Sequence, residues 1–195
     1  SAVGCSSPKP SMWWGCIIEL QAGEFLMNTA TTNDLLLPFA QSIFIKCNAT
    51  NKLRIPAVHR ARFLESISDD IKKCTNFIAA GVSKSAQEIA DQLKIDIRTK
   101  NWHDQHKFDK GRSIFHFEHI VPVKSIRAEC ISANSEKEVH EILINKLRVV
   151  WILKSEDREL TKLGYRSNRP DPKKAYFDAG IEIFSDMKTP ETGLP

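Results

Sequence analysis

Phe115-His116-Phe117-Glu118-His119-Ile120-Val121-Pro122-Val123 is the stretch on which the reading of this chain turns. Aromatic and β-branched residues surround a Glu-His step. They read as a short strand over 114–118, with a partner strand or structured loop at 120–124. Successive side chains of a strand point to opposite faces. An acid there can hold a divalent cation while the histidine beside it takes a proton from water, the minimum equipment for cutting a phosphodiester bond with one metal ion.

Downstream, Ser135-x-x-Glu138 matches a capping box that opens a helix to about residue 144. Arg-Val-Val-Trp-Ile-Leu at 148–153 is the strongest strand in the chain. Ser155 caps a helix through 163 that stops at Gly164, and Asp171-Pro172 opens a last short helix closed by Gly180. The order strand, loop, strand, helix makes a hairpin whose ends meet one helix, a pocket able to gather ligands from both. Upstream, Leu35, Leu36, Phe39 and Ile43 place a helix over 33–46. A second runs from Ile55-Pro56 through Ile67 and Ile71 to a stop at Gly81, and a third covers 83–93. The polar, basic stretch 98–112 reads as a linking loop. The expected fold class is α+β: an N-terminal arm (1–29), a helical region (30–95) and a C-terminal hairpin-and-helix module (96–195).

Bulk properties bound the function loosely. An apolar share of 42% and a charged share of 27% are ordinary for a globular chain, and a net charge of +4 favours a polyanionic partner only mildly. The five cysteines are odd in number, widely spaced and lack a C-x-x-C. That argues against a disulfide framework or a zinc knuckle and for reduced thiols in a cytoplasmic protein. No stretch approaches the ~20 apolar residues of a membrane span, and the first ten residues do not resemble a signal peptide.

Glu118-His119-Ile120-Val121-Pro122, followed by Asn145-x-Leu147 before the second strand and by Asp157 in the first turn of the next helix, resembles the HNH endonuclease (ββα-metal nuclease) family. The resemblance spans 114–165. It implies a metal-dependent endonuclease that hydrolyses DNA phosphodiester bonds, with His119 as general base and Glu118 and Asp157 as ligands to one divalent ion. Asn145 would pin backbone and orient His119. The long insertion at 126–143 makes Asn134 an alternative. Two departures stand out: Glu118 takes the place of the usual aspartate or histidine, and Asp157 that of the usual histidine or asparagine. Two carboxylates suit Mg2+ or Mn2+ better than zinc.

Lys107, Lys110, Arg112 and Lys124 bracket the motif, and Arg158, Lys162, Arg166 and Arg169 follow Asp157. Clustered around a phosphate site, they are the expected nucleic-acid contacts. DNA is the expected partner with RNA left open, and a homodimer would suit symmetric cutting of both strands. His116 shares the face of Glu118 and is a third ligand, a phosphate contact or an exposed strand histidine. Trp102-His103-x-x-His106 has the spacing of a second metal site, and 83–90 has a trace of helix-turn-helix character. Phe115, Phe117 and Trp151 read as core. The alternative function is a non-catalytic nucleic-acid-binding protein on a degenerate HNH scaffold. A helical interaction protein would show no salt-dependent DNA affinity.

Overall fold

The computed structural model describes residues 30–52 and 54–184. The arm expected at 1–29 lies outside the described residues, as does the end of the C-terminal module, 185–195. Among the described residues there are eight α-helices and three strands, an α+β fold that is mostly helical. None of these helices is long and apolar enough to cross a membrane.

The first two helices, α1 (Thr32–Lys52) and α2 (Ala57–Cys74), pack on each other. Thr31 and Asp34 cap α1 reciprocally: the Thr31 N–H and hydroxyl donate to the Asp34 carboxylate, and the Asp34 N–H donates back to the Thr31 hydroxyl. Then come β1 (Gly81–Val82), α3 (Lys84–Gln92), α4 (Gln105–Phe108) and β2 (Phe115–His119). The segment after β2 is not a strand. It turns into α5 (Val123–Ser132), followed by α6 (Glu136–Lys146), β3 (Val149–Leu153), α7 (Lys154–Lys162) and α8 (Pro172–Asp178). Pro122 explains the correction. It has no N–H to give a strand ladder, and it occupies the N-cap of α5, where none is needed.

The sheet order is β1-β3-β2. β2 pairs antiparallel with β3, Phe117 opposite Trp151 and Glu118 opposite Val150, while β1 pairs parallel with β3. The expected hairpin is therefore a strand pair joined by two helices, with β2 on the edge.

Three apolar cores surround this frame. Leu36, Ile43, Ile67, Ile71, Ile126 and Leu143 knit α1, α2, α5 and α6 into one helical cluster. The core thus crosses the boundary expected at 95/96: α5 and α6 complete the packing that α1 and α2 begin. Cys47, Cys74 and Cys130 sit in this core as free thiols, and burial pushes them up to about 11, 12 and 12. One face of the sheet buries Phe115 and Trp151 against Ala86 and Ala90 of α3. Those two alanines seat α3 closely on the sheet. The opposite face buries Val150 and Ile152 against Leu160 of α7 and Ala175 and Tyr176 of α8. Gly164 and Gly180, at φ 84° and 67°, end α7 and α8 as the sequence predicts. Each is followed by an N–H that reaches back five residues, Tyr165 to Leu160 and Ile181 to Tyr176.

Candidate functional site

β2 is positioned from its first residue. Asp109 is 1% exposed, and its carboxylate accepts from the backbone N–H groups of Ser113 (2.9 Å), Ile114 (3.2 Å) and Phe115 (2.9 Å) and from the Gln105 amide (3.0 Å). Burial opposes ionisation of Asp109, but these donors outweigh it and hold its carboxyl below the usual range. The Gln105 amide also donates to the Phe115 carbonyl at 2.7 Å. The segment 98–112, expected as a loop, is thus a chain of short turns and α4 that sets where β2 starts.

From that start, alternation sorts the motif. Phe115, Phe117 and His119 share one face; His116 and Glu118 share the other, above α7. There His116, Glu118 and Asp157 bring one ligand atom each to within 4.8 Å of one another. The His116 Nε2 lies 2.9 Å from Glu118 Oε2 and 3.6 Å from Asp157 Oδ1. The Lys154 ammonium, at the start of α7, donates to His116 Nδ1 at 3.2 Å. In this arrangement His116 is the Nε2–H tautomer, donating to Glu118. Among the described residues this is the one cluster with metal-ligand geometry. His103 and His106 do not form a second: the His106 Nδ1 engages the His103 carbonyl at 2.9 Å.

The other Glu118 oxygen is held by Arg169, whose Nη2 donates to Oε1 at 2.7 Å. Burial raises the Glu118 pKa, yet the His116 and Arg169 contacts overcome it, and the carboxyl stays ionised below its ordinary value. Arg169 also donates to the carbonyls of His119 (2.9 Å) and Ile120 (3.0 Å). Its side chain is 0% exposed. Arg169 is therefore not a nucleic-acid contact, as its place in a basic run suggested. It pins the end of β2, the task expected of an asparagine. Asn145 is exposed on α6 and makes no side-chain hydrogen bond to any described residue. Asn134 bonds only to Glu138. Neither asparagine touches the motif.

His119 faces away from the acidic cluster. Its Nε2 is buried and has no hydrogen-bond partner. Burial drives its pKa below the ordinary histidine value, against the pull of Glu118, so the ring is neutral at pH 7. His119 borders a cavity of about 420 Å³ between the end of α2 and the Trp102 turn, with Lys72, Lys73, Trp102, His103 and Phe117 among its walls. α2, assigned from sequence only to a helical bundle, thus supplies two lysines beside the motif.

The remaining basic residues divide. Lys107 pairs with Asp104 at 2.6 Å, Lys162 with Glu159 at 3.2 Å, and the Arg112 guanidinium lies 4.2 Å from the centre of the Trp102 ring. Lys110, Lys124, Arg158 and Arg166 are exposed and pair with no described residue. No family model, curated protein or solved structure matches this chain.

Proposed function

We propose that this protein is a metal-dependent phosphodiesterase of the HNH type acting on DNA, with His116, Glu118 and Asp157 as its metal ligands. The observation that carries the reading is the convergence of these three donors from strand β2 and helix α7. The fit is chemical as well as spatial: one imidazole nitrogen and two carboxylates suit a divalent ion, and the nitrogen favours Mn2+ over Mg2+. A divalent ion there would neutralise charge on the scissile phosphate and the leaving oxygen. To bind it, His116 presents Nε2 as a lone pair, which moves its proton to Nδ1 and releases Lys154 from that nitrogen. Arg169 holds Glu118 in place from behind.

His119, neutral and with an unpaired Nε2, has the protonation state of a general base. Its Nε2 is closed to solvent and lies on the opposite face of β2 from His116, Glu118 and Asp157, so the role requires the imidazole to be uncovered and brought round to the metal-ligand face when substrate binds. Lys124, Arg158 and Arg166 offer exposed charge for backbone phosphates. The three buried, unoxidised thiols suit a cytoplasmic setting.

The test is nicking of supercoiled plasmid by the wild type and by His119→Ala, each with Mn2+, Mg2+ or EDTA. Metal-dependent nicking lost in the variant supports the reading. Its absence in the wild type with either metal refutes it. The closed Nε2 favours one second reading, a nucleic-acid-binding protein on the same frame that does not cleave, and it predicts salt-dependent DNA binding without nicking.

A further inference from the structure

We infer that the cavity beside His119 binds one unpaired nucleotide of a single-stranded nucleic acid, with its base on Trp102 and its phosphate at Lys72 and Lys73. The path of the strand rests on the phosphodiesterase reading; the chemistry of the pocket does not. The cavity, about 420 Å³, lies in the range of small-molecule sites. One wall is aromatic. Trp102 is 43% exposed, and Phe117 lines the same space. The lining also includes Lys72 and Lys73 of α2, whose side chains are 57% and 64% exposed. The link of Lys72 to Asp69, at 3.0 Å, is a surface pair that a phosphate can replace, and Lys73 lies 3.8 Å from the buried Asp70, which Lys46 already engages. Asn76 and Asp69 also line the space and offer hydrogen-bonding groups to a base edge.

Trp102 is held ready for this. Gly111 and Arg112 both take positive φ, 73° and 52°. For arginine that is a conformation side chains other than glycine's rarely adopt. The turn sets the Arg112 guanidinium on the indole, 4.2 Å from its centre. A fixed aromatic ring flanked by cations is how proteins take unpaired bases without regard to sequence.

The pocket and the acidic cluster sit on the two faces of β2 at neighbouring residues, His119 and Glu118. β2 is an edge strand, so nothing in the sheet separates them on its outer side. A strand with one phosphate at Glu118 passes round that edge and delivers the next nucleotide to Trp102. Duplex DNA cannot make this turn with its bases paired.

Fluorescence anisotropy of labelled oligothymidine and oligouridine of about eight nucleotides tests this, with EDTA present and at ~50 mM salt. EDTA keeps the measurement apart from cleavage: a protein that never nicks DNA can still pass, and an active nuclease can still fail. Trp102→Ala is expected to weaken binding about 5- to 100-fold, and Trp102→Phe to retain most of it. Lys72→Glu, at an exposed position that folding tolerates, is expected to weaken it at least about threefold and to flatten the salt dependence. Lys137→Glu, on the far side of α6, is expected to change nothing. The inference is overturned if neither oligonucleotide binds at micromolar concentration, if Trp102→Ala and Lys72→Glu both bind like wild type, or if a duplex competes as well as a single strand.

Discussion

Replacing Arg169 with methionine is expected to cost more stability than any other single change at this site. The guanidinium is 0% exposed and engages Glu118 at 2.7 Å, the carbonyls of His119 and Ile120 at 2.9 and 3.0 Å, and the Tyr165 carbonyl at 3.0 Å. Methionine fills much of the volume but leaves Glu118 ionised and largely buried with His116 as its remaining partner. Breaking a buried ion pair from one side costs ~3–5 kcal/mol. For a chain of this size that corresponds to a fall of roughly 6–20 °C in melting temperature. Urea denaturation followed by circular dichroism measures it directly. Arg169→Lys is expected to lose about half as much, because an ammonium keeps the charge but cannot span acceptors on several sides. The double variant Arg169→Met/Glu118→Gln is expected to regain at least ~1 kcal/mol, since it removes the stranded charge. A loss under ~1 kcal/mol for Arg169→Met, or strict additivity in the double variant, would refute the reasoning.

Other expectations follow from single residues. Asp109→Asn should cost ~2–4 kcal/mol, because an amide cannot accept from three backbone N–H groups at once. The carboxyl of Asp109 is depressed in the fold, so its contribution is full above the unfolded value near ~3.9 and fades as pH falls through the folded value. The stability gap between wild type and variant should therefore be widest near neutrality and narrow in acid, as denaturation at a series of pH values will show. Lys94, at φ 57° just past α3, occupies a position suited to glycine, and Lys94→Gly should raise stability by ~0.5–1 kcal/mol. Cys47, Cys74 and Cys130 should resist a thiol reagent at pH 8 until the protein is unfolded, given their burial and raised pKa values.

Much of this architecture was legible in the residues, for local reasons. Helices α1, α2, α3, α6, α7 and α8 announce themselves through apolar spacing, caps and glycine stops that act within a few residues, although α2 ends at Cys74, well before the expected stop at Gly81 (which enters β1), and Ser155 lies inside α7, whose N-cap is Leu153. β3 is legible because five consecutive apolar residues suit a strand buried on both faces. α5 was missed because Val121 and Val123 look like strand residues, although Val123, Ile126 and Cys130 already recur at helical spacing. β1 is too short to give a pattern, and its pairing with β3 is a distant contact. In the candidate site, Glu118 and Asp157 were legible as a pair, and the face shared by His116 and Glu118 follows from strand alternation. Arg169 was not. In sequence it stands in a basic, polar run, and only the packing of α8 against the sheet buries it. Asn145 failed for the mirror reason: it sits at the expected position in the chain, but the two-helix insertion carries it to the surface of α6. The lysines of α2 reach the motif through a tertiary contact that no local pattern records.

The account stands on His116, Glu118 and Asp157 sharing one divalent cation. Titration of the protein with Mn2+, read by the electron paramagnetic resonance of the free ion, tests that claim without requiring activity. The expected result is a single saturable site in the wild type, weakened by about tenfold or more in Glu118→Gln and in Asp157→Asn and unchanged in His103→Ala. Wild-type protein that takes up no Mn2+, or carboxylate variants that bind it as tightly as wild type, would contradict it.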